Sequence, residues 1–256
     1  HNIKQYTGAV GISHNLTLNK KQQFNATLAS TFNGINYPIE RLDSNGYFNP
    51  KSLLNNKYHH LVLSASLNTK LSAAHSNQTG FSLTHMRYNL LLQNEFRMSS
   101  TKRYVAKENG NSTLVSAYST STLQLNDQTI LNAGVNAQLF TLNNAYTIEP
   151  RLGLKHQISS KHTLAFAYGL HSKLERLNYY FIRNSSAQNV NTNLKPTKAH
   201  HLVVAYDLNT SAFTHLKIEA YYQHLFNVPV IADSSFSIIN LQNDWFLTST
   251  LQNKGK

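Results

Sequence analysis

The chain has 256 residues and a formal net charge of +12 at pH 7, yet only 13% of its residues are charged and 41% are hydrophobic. The basic residues are scattered, which argues against nucleic-acid binding and favours basic loops beside anionic lipid headgroups. Cysteine is absent, which excludes disulfides and thiol chemistry. No run approaches the ~18 apolar residues of a transmembrane helix, so a membrane-spanning chain of this kind must be a β-barrel.

Strict alternation of apolar and polar residues recurs along the chain and is typical of strands with one apolar and one wet face. It predicts about eleven strands of roughly the length found in outer-membrane barrels. These are residues 5–19, 22–32, 58–69, 79–94, 113–126, 129–141, 146–157, 162–171, 200–208, 216–226 and a last strand beginning at Trp245. The fold class is therefore all-β, an antiparallel transmembrane barrel.

The fourth of these strands breaks the pattern. Phe81 and Leu83 share one parity, whereas Met86, Tyr88 and the two leucines that follow share the other. A β-bulge would switch the faces at that point, so the sequence predicts one there.

The hairpin within residues 193–230 shows this alternation in both of its strands. Three side chains of its first strand and three of its second are expected to share one apolar face: Leu202, Val204, Tyr206, Leu216, Ile218 and Tyr222. Lys217, Glu219 and Gln223 are expected on the other face.

The connections between strands alternate between short and long, except for a short link at 142–145. Four long loops are predicted, at 33–57, 95–112, 172–196 and 229–244, and the first contains the turn dipeptides Asn45-Gly46 and Asn49-Pro50. Outer-membrane barrels show this asymmetry, with short periplasmic turns and long extracellular loops. The long loops are therefore expected at one rim of the barrel.

Four blocks of sequence resemble a known family in their order and spacing. They are residues 131–134 (LNAG), 149–154 (EPRLGL), 168–172 (YGLHS) and 193–230, the last containing LKP at 194–196 and NVPV at 227–230. Together they resemble the barrel of TonB-dependent outer-membrane receptors of the kind abundant in the Bacteroidota. Residues 1–130 fit by pattern only.

The resemblance implies a receptor of about 22 strands around an N-terminal plug, in the outer membrane of a Gram-negative bacterium. Its implied partners are outer-membrane lipid, the receptor's own plug, the TonB complex and a surface lipoprotein. The plug, the TonB-contacting segment and about half of the strands have no counterpart here. Residues 1–256 are therefore expected to form one partial barrel domain with two unpaired edge strands.

Charged and polar residues on the wet faces are the candidate functional residues. They would line the lumen and contact plug or substrate, or else form ordinary ion pairs in the barrel wall, which we favour. The candidates are Glu149, Arg151, Lys155, Lys217, Glu219, Tyr221 and Gln223.

Adjacent histidines such as His200 and His201 point to opposite faces of a strand and cannot chelate one metal ion together. Aromatic residues near strand ends indicate a girdle at the lipid headgroups or a carbohydrate-stacking surface. They are Tyr37, Phe48, Tyr58, Tyr179, Tyr180, Phe181, Phe226 and Trp245.

No catalytic motif is present, and the adjacent pair His171-Ser172 has the wrong arrangement for a base and its nucleophile. We therefore expect no enzyme activity, no metal site and no cofactor. The resemblance implies energy-dependent uptake of a siderophore, a glycan or a peptide. The alternatives are a passive porin or adhesin barrel of about twelve strands, or a soluble β-sandwich that binds carbohydrate.

Overall fold

The structure, a computed structural model, describes residues 3–95, 102–211, 213–240 and 249–256. Their dominant feature is one antiparallel sheet of ten strands in sequential order. The strands are Lys4–Asn19 (β1), Gln22–Leu42 (β2), Phe48–Lys70 (β3), His75–Glu95 (β4), Lys102–Asn126 (β5), Thr129–Phe140 (β6), Ala145–Gln157 (β7), His162–Lys173 (β8), Thr197–Ser211 (β9) and Thr214–Phe226 (β10). The expected all-β antiparallel fold is confirmed.

Four small elements complete the described chain. Val228–Ile231 (β11) pairs antiparallel with Leu251–Gly255 (β12). Leu177–Tyr180 (α1) is a single turn of α-helix, and Ile238–Asn240 is a 3₁₀ turn. Where the chain is described, no helix has the length and apolar character to cross a membrane.

The ten-stranded sheet is open. β1 pairs with β2 and β10 pairs with β9, and the described residues of β1 and β10 form no pair with each other. Two separate edge strands were expected, the first near residues 5–19 and the last beginning at Trp245. β1 is such an edge, and the main sheet has ten strands rather than about eleven. The strand expected from Trp245 begins outside the described residues.

One face of the sheet, here called the outer face, is apolar from β1 to β10. The pairing register aligns its apolar side chains strand by strand, as at Leu28↔Leu63↔Leu83 and Val204↔Ala220. Large apolar side chains on this face are widely exposed. They include Val10, Ile12, Leu28, Phe32, Leu61, Leu63, Phe81, Val135, Leu139, Ile148, Leu152, Leu154, Leu164, Phe166, Val204, Leu216, Ile218 and Tyr222. The face assignment of the β9–β10 hairpin agrees with its register, which places Ile218 opposite Tyr206 and Tyr222 opposite Leu202.

The bulge expected in the fourth strand is absent. β3 and β4 pair without a shift from Ser52↔Asn94 to Lys70↔Ser76. Met86, Tyr88 and Leu90 therefore stay on the opposite, inner face, where they are only 8%, 4% and 1% exposed. The change of apolar parity marks the point where the inner face becomes covered by another part of the chain.

Two of the predicted long loops are mostly strand. β2 continues to Leu42 and β3 begins at Phe48, so the connection is only five residues, 43–47. β4 reaches Glu95 and β5 begins at Lys102, where residues 95–112 had been expected to form a loop. The sequential hairpins do place these connections at one rim, with the 20–21, 71–74, 127–128 and 158–161 turns at the other. The asymmetry between the rims therefore arises largely from strand length.

Residues 174–196 connect β8 to β9 and fold inward over the inner face. Tyr180 and Ile182 are fully buried there, and Phe140 of β6 is 1% exposed. The Phe140 and Tyr180 rings meet edge to face, with centroids 5.6 Å apart. The residues form an apolar cluster, here called the inner cluster: Met86, Tyr88, Leu90, Phe140, Leu177, Tyr179, Tyr180, Phe181, Ile182, Leu194, Ile238 and Leu251.

Candidate functional site

The seven candidate residues lie on the inner face, on β7 and β10. Register brings them into common rows across the sheet. Arg151 aligns with Gln223 through Gly169 and His201, and Lys155 aligns with Glu219 through Ala165 and Ala205. The residues between them are mostly small, so this part of the inner face is an open polar wall. Its role as a lumen lining stays a prediction.

Glu149 is the most enclosed member of the set, with 1% of its side chain exposed. Its Oε2 accepts from Arg151 Nη2 at 3.2 Å and from Asn136 Nδ2 at 3.1 Å. Its Oε1 accepts from Thr147 Oγ1 at 3.2 Å and from Ser172 Oγ. A buried carboxylate needs such partners, and here they occupy both oxygens. Glu149 therefore orients Arg151 rather than offering an acceptor to a ligand.

The other charged side chains of the wall are more exposed to solvent than Glu149. The Arg151 side chain is 51% exposed although it is paired with Glu149. Lys217 Nζ lies 2.7 Å from Glu219 Oε1, and both side chains are about half exposed. The ion pairing favoured from sequence is thus present at both places. Exposed pairs of this kind add little stability, and they leave donors directed to the solvent on the inner side.

Two histidines extend this wall and were missed as site residues. The His171 and His201 rings have centroids 4.7 Å apart, and Gln223 Nε2 lies 2.9 Å from His201 Nε2, where the amide donates. A Cβ on Gly169 would lie 2.6 Å from His171 Nε2, so glycine is what lets His171 lean across the row. Their parity with Gln223 and Arg151 was the available sequence signal.

An open groove of about 420 Å³ lies along this wall, bounded by Arg151, His171 and His201 and floored by Gly134, Gly153 and Gly169. Arg151 and His201 share one row with Gly134 and Gly169, so basic or donor side chains stand beside the glycine floor. This arrangement favours an anionic or oxygen-rich molecule. His200 points to the outer face, where it stacks on Tyr168 and Phe226. The prediction that His200 and His201 face opposite ways therefore agrees with the structure.

A second groove, of about 390 Å³, lies at the edge of the inward segment. It is lined by residues of the β2–β4 wall and of residues 174–196: Asn33, Ile35, Leu54, Asn56, Tyr58, His60, Met86, Arg176, Leu177 and Asn178. His60 Nε2 is buried there without a hydrogen-bond partner among the described residues. The groove offers amide, phenol and imidazole groups beside an apolar wall, which is the usual composition of a small-molecule site.

The inward segment is tied to the wall by polar contacts. Ile182 forms an antiparallel bridge with Ala106. Arg103 Nη2 donates to Arg183 O at 2.7 Å, and Arg183 Nη2 donates to Lys107 O at 2.6 Å. At its start, burial raises the pKa of the Glu175 carboxyl, while the hydroxyl of Thr197 donates to Glu175 at 2.6 Å.

The expected aromatic girdle is only partly present. Tyr179, Tyr180 and Phe181 are core residues of the inner cluster with at most 4% exposure, so they form neither a girdle nor a stacking surface. Phe226 does lie on the outer face, and Trp245 falls outside the described residues. The inward fold of residues 174–196 explains the difference, because it buries aromatics that a projecting loop would expose.

The open antiparallel sheet, apolar outside and polar inside with a segment folded against its concave side, is the wall of an outer-membrane type of β-barrel. No protein-family model and no curated protein sequence matches the chain. Solved structures do match its fold.

A mutant of the ferric enterobactin receptor PfeA from Pseudomonas aeruginosa aligns with 98% of this chain at 13% identity and a TM-score of 0.71. The siderophore receptor PirA from Acinetobacter baumannii aligns with 98% of this chain at 13% identity and a TM-score of 0.71. The copper transporter OprC aligns with 87% at 10% identity and a TM-score of 0.66. The chain spans 39–40% of the length of these three proteins. The neighbours are receptors and transporters rather than enzymes.

Proposed function

We propose that this chain is part of the barrel wall of a TonB-dependent outer-membrane receptor that takes up a nutrient ligand. The observation that carries the proposal is the pairing of a continuous apolar outer face with a polar inner face and an inward-folded connection. A sheet in a soluble protein gains no stability by exposing large apolar side chains on one face. A bilayer accounts for that exposure, and a ligand path accounts for the polar wall.

The remaining strands, a plug, the TonB contact and a surface lipoprotein partner belong to the proposal as parts of the whole receptor. The chain's alignment to about two fifths of each neighbouring receptor supports this. Arg151, His171 and His201, which border the glycine-floored groove, favour an anionic ligand such as a metal chelate. The three matched proteins described above are named as a ferric enterobactin receptor, a siderophore receptor and a copper transporter. A Bacteroidota source rests on the sequence resemblance alone.

The proposal is tested with the full-length receptor in cells that lack their own copy. Uptake of radioactive iron as ferric enterobactin is measured with and without a functional TonB system. TonB-dependent accumulation that falls in an Arg151→Gln variant is the expected result. Lys161→Gln, at a short turn on the opposite rim, is the matched control. Uptake that is the same with and without a functional TonB system would favour the passive porin instead. A protein that stays in solution without detergent would favour the carbohydrate-binding module.

A further inference from the structure

The outer face of β3–β5 changes its chemistry abruptly towards the rim with the long connections. Leu61, Leu83 and Val115 are the last apolar residues of the band. Beyond them the register sets two polar rows, His59–Arg87–Asn111 and Lys57–Asn89–Asn109, with Lys107 in the next row. These two rows and Lys107 are here called the basic border.

Two cations of the basic border, Lys57 and Arg87, are close enough to act on one group. Residues directly opposite on paired strands have Cβ atoms about 4.5–5.5 Å apart, and diagonal neighbours about 7–8 Å. Lys57 and Arg87 are diagonal neighbours, because Lys57 pairs with Asn89 and Arg87 pairs with His59. Both side chains are exposed, so their long stems can converge. Asn89 adds amide donors between them.

Among the side chains that the structure describes, no carboxylate neutralises this surface. Glu108 is the nearest acid in the register, but it pairs with Leu90 and lies on the inner face. Among the described residues, neither Lys57, Arg87 nor Lys107 takes part in an ion pair. Lys107 Nζ lies 4.6 Å above the centre of the Tyr104 ring, a contact that positions the ammonium and keeps its charge. An ordinary solvated surface intersperses both signs, whereas this one has positive charge only.

Position identifies what the charge meets. The basic border begins at the edge of the lipid-facing band and faces away from the inner wall, so its surroundings are headgroups rather than the ligand path. Arginine binds phosphate through two parallel N–H donors, and lysine binds it as a point charge. We propose that the basic border binds the phosphate of a phosphorylated lipid in the adjacent leaflet. The proposal rests on the membrane placement proposed above.

The test uses full-length receptor purified in detergent and mixed with phosphatidylcholine vesicles, with or without monophosphorylated lipid A. Native mass spectrometry counts retained lipid A. The test variant is Lys57→Gln/Arg87→Gln/Lys107→Gln, and the control is Lys20→Gln/Lys21→Gln/Lys161→Gln at the opposite rim. Because each basic residue near a charged membrane surface contributes separately, retention should fall by about tenfold or more in the test variant only. Arg87→Lys should recover part of it.

Equal losses in the test and control variants, or no loss in either, would overturn the proposal. Displacement of lipid A by excess inorganic phosphate would reduce the site to one for free phosphate and would also overturn it. If the triple variant does not insert, the single variants Lys57→Gln and Arg87→Gln carry the same comparison. Iron uptake in the test variant separates the two proposals. If the variant still transports iron in a TonB-dependent manner and retains as much lipid A as the unmodified receptor, the lipid site is refuted and the receptor function stands.

Discussion

The two halves of the sheet differ in length and in the way both faces end. β2–β5 contain 21–25 residues each, whereas β6–β10 contain 12–15. A tilted strand crosses a bilayer with about 9–11 residues. The first half therefore extends well beyond the bilayer, and the second half ends near its surface.

The extra length of the first half has a use on each face. Inside, it supplies Tyr88 and Leu90 to the inner cluster, and outside it supplies the basic border. The second half leaves its inner wall open and ends outside in stacked rings: His200 lies 5.1 Å from Phe226 and 6.4 Å from His224, centroid to centroid. Amphipathic rings and cations are two different ways to meet the headgroup region.

The largest expected effect lies in the inner cluster of the first half. Leu90→Ala should destabilise the receptor by about 2–5 kcal/mol, because it removes buried methyl groups and leaves a cavity. Leu71→Ala makes the same chemical change at a turn residue that is 53% exposed, and should stay within about 0.5 kcal/mol. Urea unfolding of the full-length receptor in detergent measures both. Similar losses would show that the cluster does not stabilise the first half.

Within the apolar band of the outer face, equivalent substitutions in the two halves should cost similar free energies. Leu63→Arg in β3 and Ile218→Arg in β10 place a cation on the outer face, and each should cost ~2–4 kcal/mol near the bilayer midplane. Gln223→Arg on the inner face is the control and should cost much less. Folding titrations in lipid vesicles give the free energies. A tolerated Ile218→Arg together with a costly Gln223→Arg would reverse the assignment of the faces.

The aromatic end of the second half should respond to loss of ring contact and ignore lipid charge. Phe226→Ala removes the ring stacked on His200, and should cost roughly 0.5–1.5 kcal/mol beyond the lost area. The loss should be equal in neutral vesicles and in vesicles that contain lipid A. Variants of the basic border should weaken retention only in the latter. A lipid-dependent effect of Phe226→Ala would erase the distinction between the two ends.

The smallest effect is expected at the tip of the β2–β3 hairpin. Hydrogen bonds from the backbone N–H groups of Tyr47 and Asn45, both 2.9 Å, and from the Asn49 amide lower the pKa of Asp43 below its usual 3.8. A lowered folded pKa means that this stabilisation is complete above pH 3.8 and is lost as pH falls through the folded value. The carboxyl titration, followed by NMR, should show the low pKa.

Asp43→Asn should speed amide exchange at Asn45 and Tyr47 at neutral pH. Asn49→Ala keeps both backbone contacts and should change that exchange less. If the two variants exchange alike, the carboxylate does not hold the tip.

Alternation predicted the short strands well and the long ones poorly. β6 was expected at 129–141 and is Thr129–Phe140. In β2 and β3, residues typical of turns wrongly indicated a loop. Gly34, for example, lies within β2. A Cβ at this position would come 2.4 Å from Tyr6 Cζ, so the glycine makes room for the tyrosine ring. Only Gly46, with φ of +81°, serves a turn. Glycine composition alone does not separate these two roles.

The polar wall could be predicted by residue but not by arrangement. The alternation alone placed Arg151 and Gln223 on the polar faces of their strands. That the two residues share one row across the sheet follows only from the register of three strand pairs, which the sequence does not reveal. The inner cluster was beyond reach for the same reason, since Ala106 and Ile182 meet across 76 residues. A change of apolar parity in β4 was visible, and its cause was the covering segment rather than a bulge.

The bridge between Ala106 and Ile182 makes the concave side of this wall unequal. Residues 174–196 fill the space in front of β4–β6, and the groove floored by Gly134, Gly153 and Gly169 stays clear in front of β6–β8. The open space along this wall is therefore eccentric. The groups beside it are the guanidinium of Arg151, which is paired with Glu149, and the imidazoles of His171 and His201.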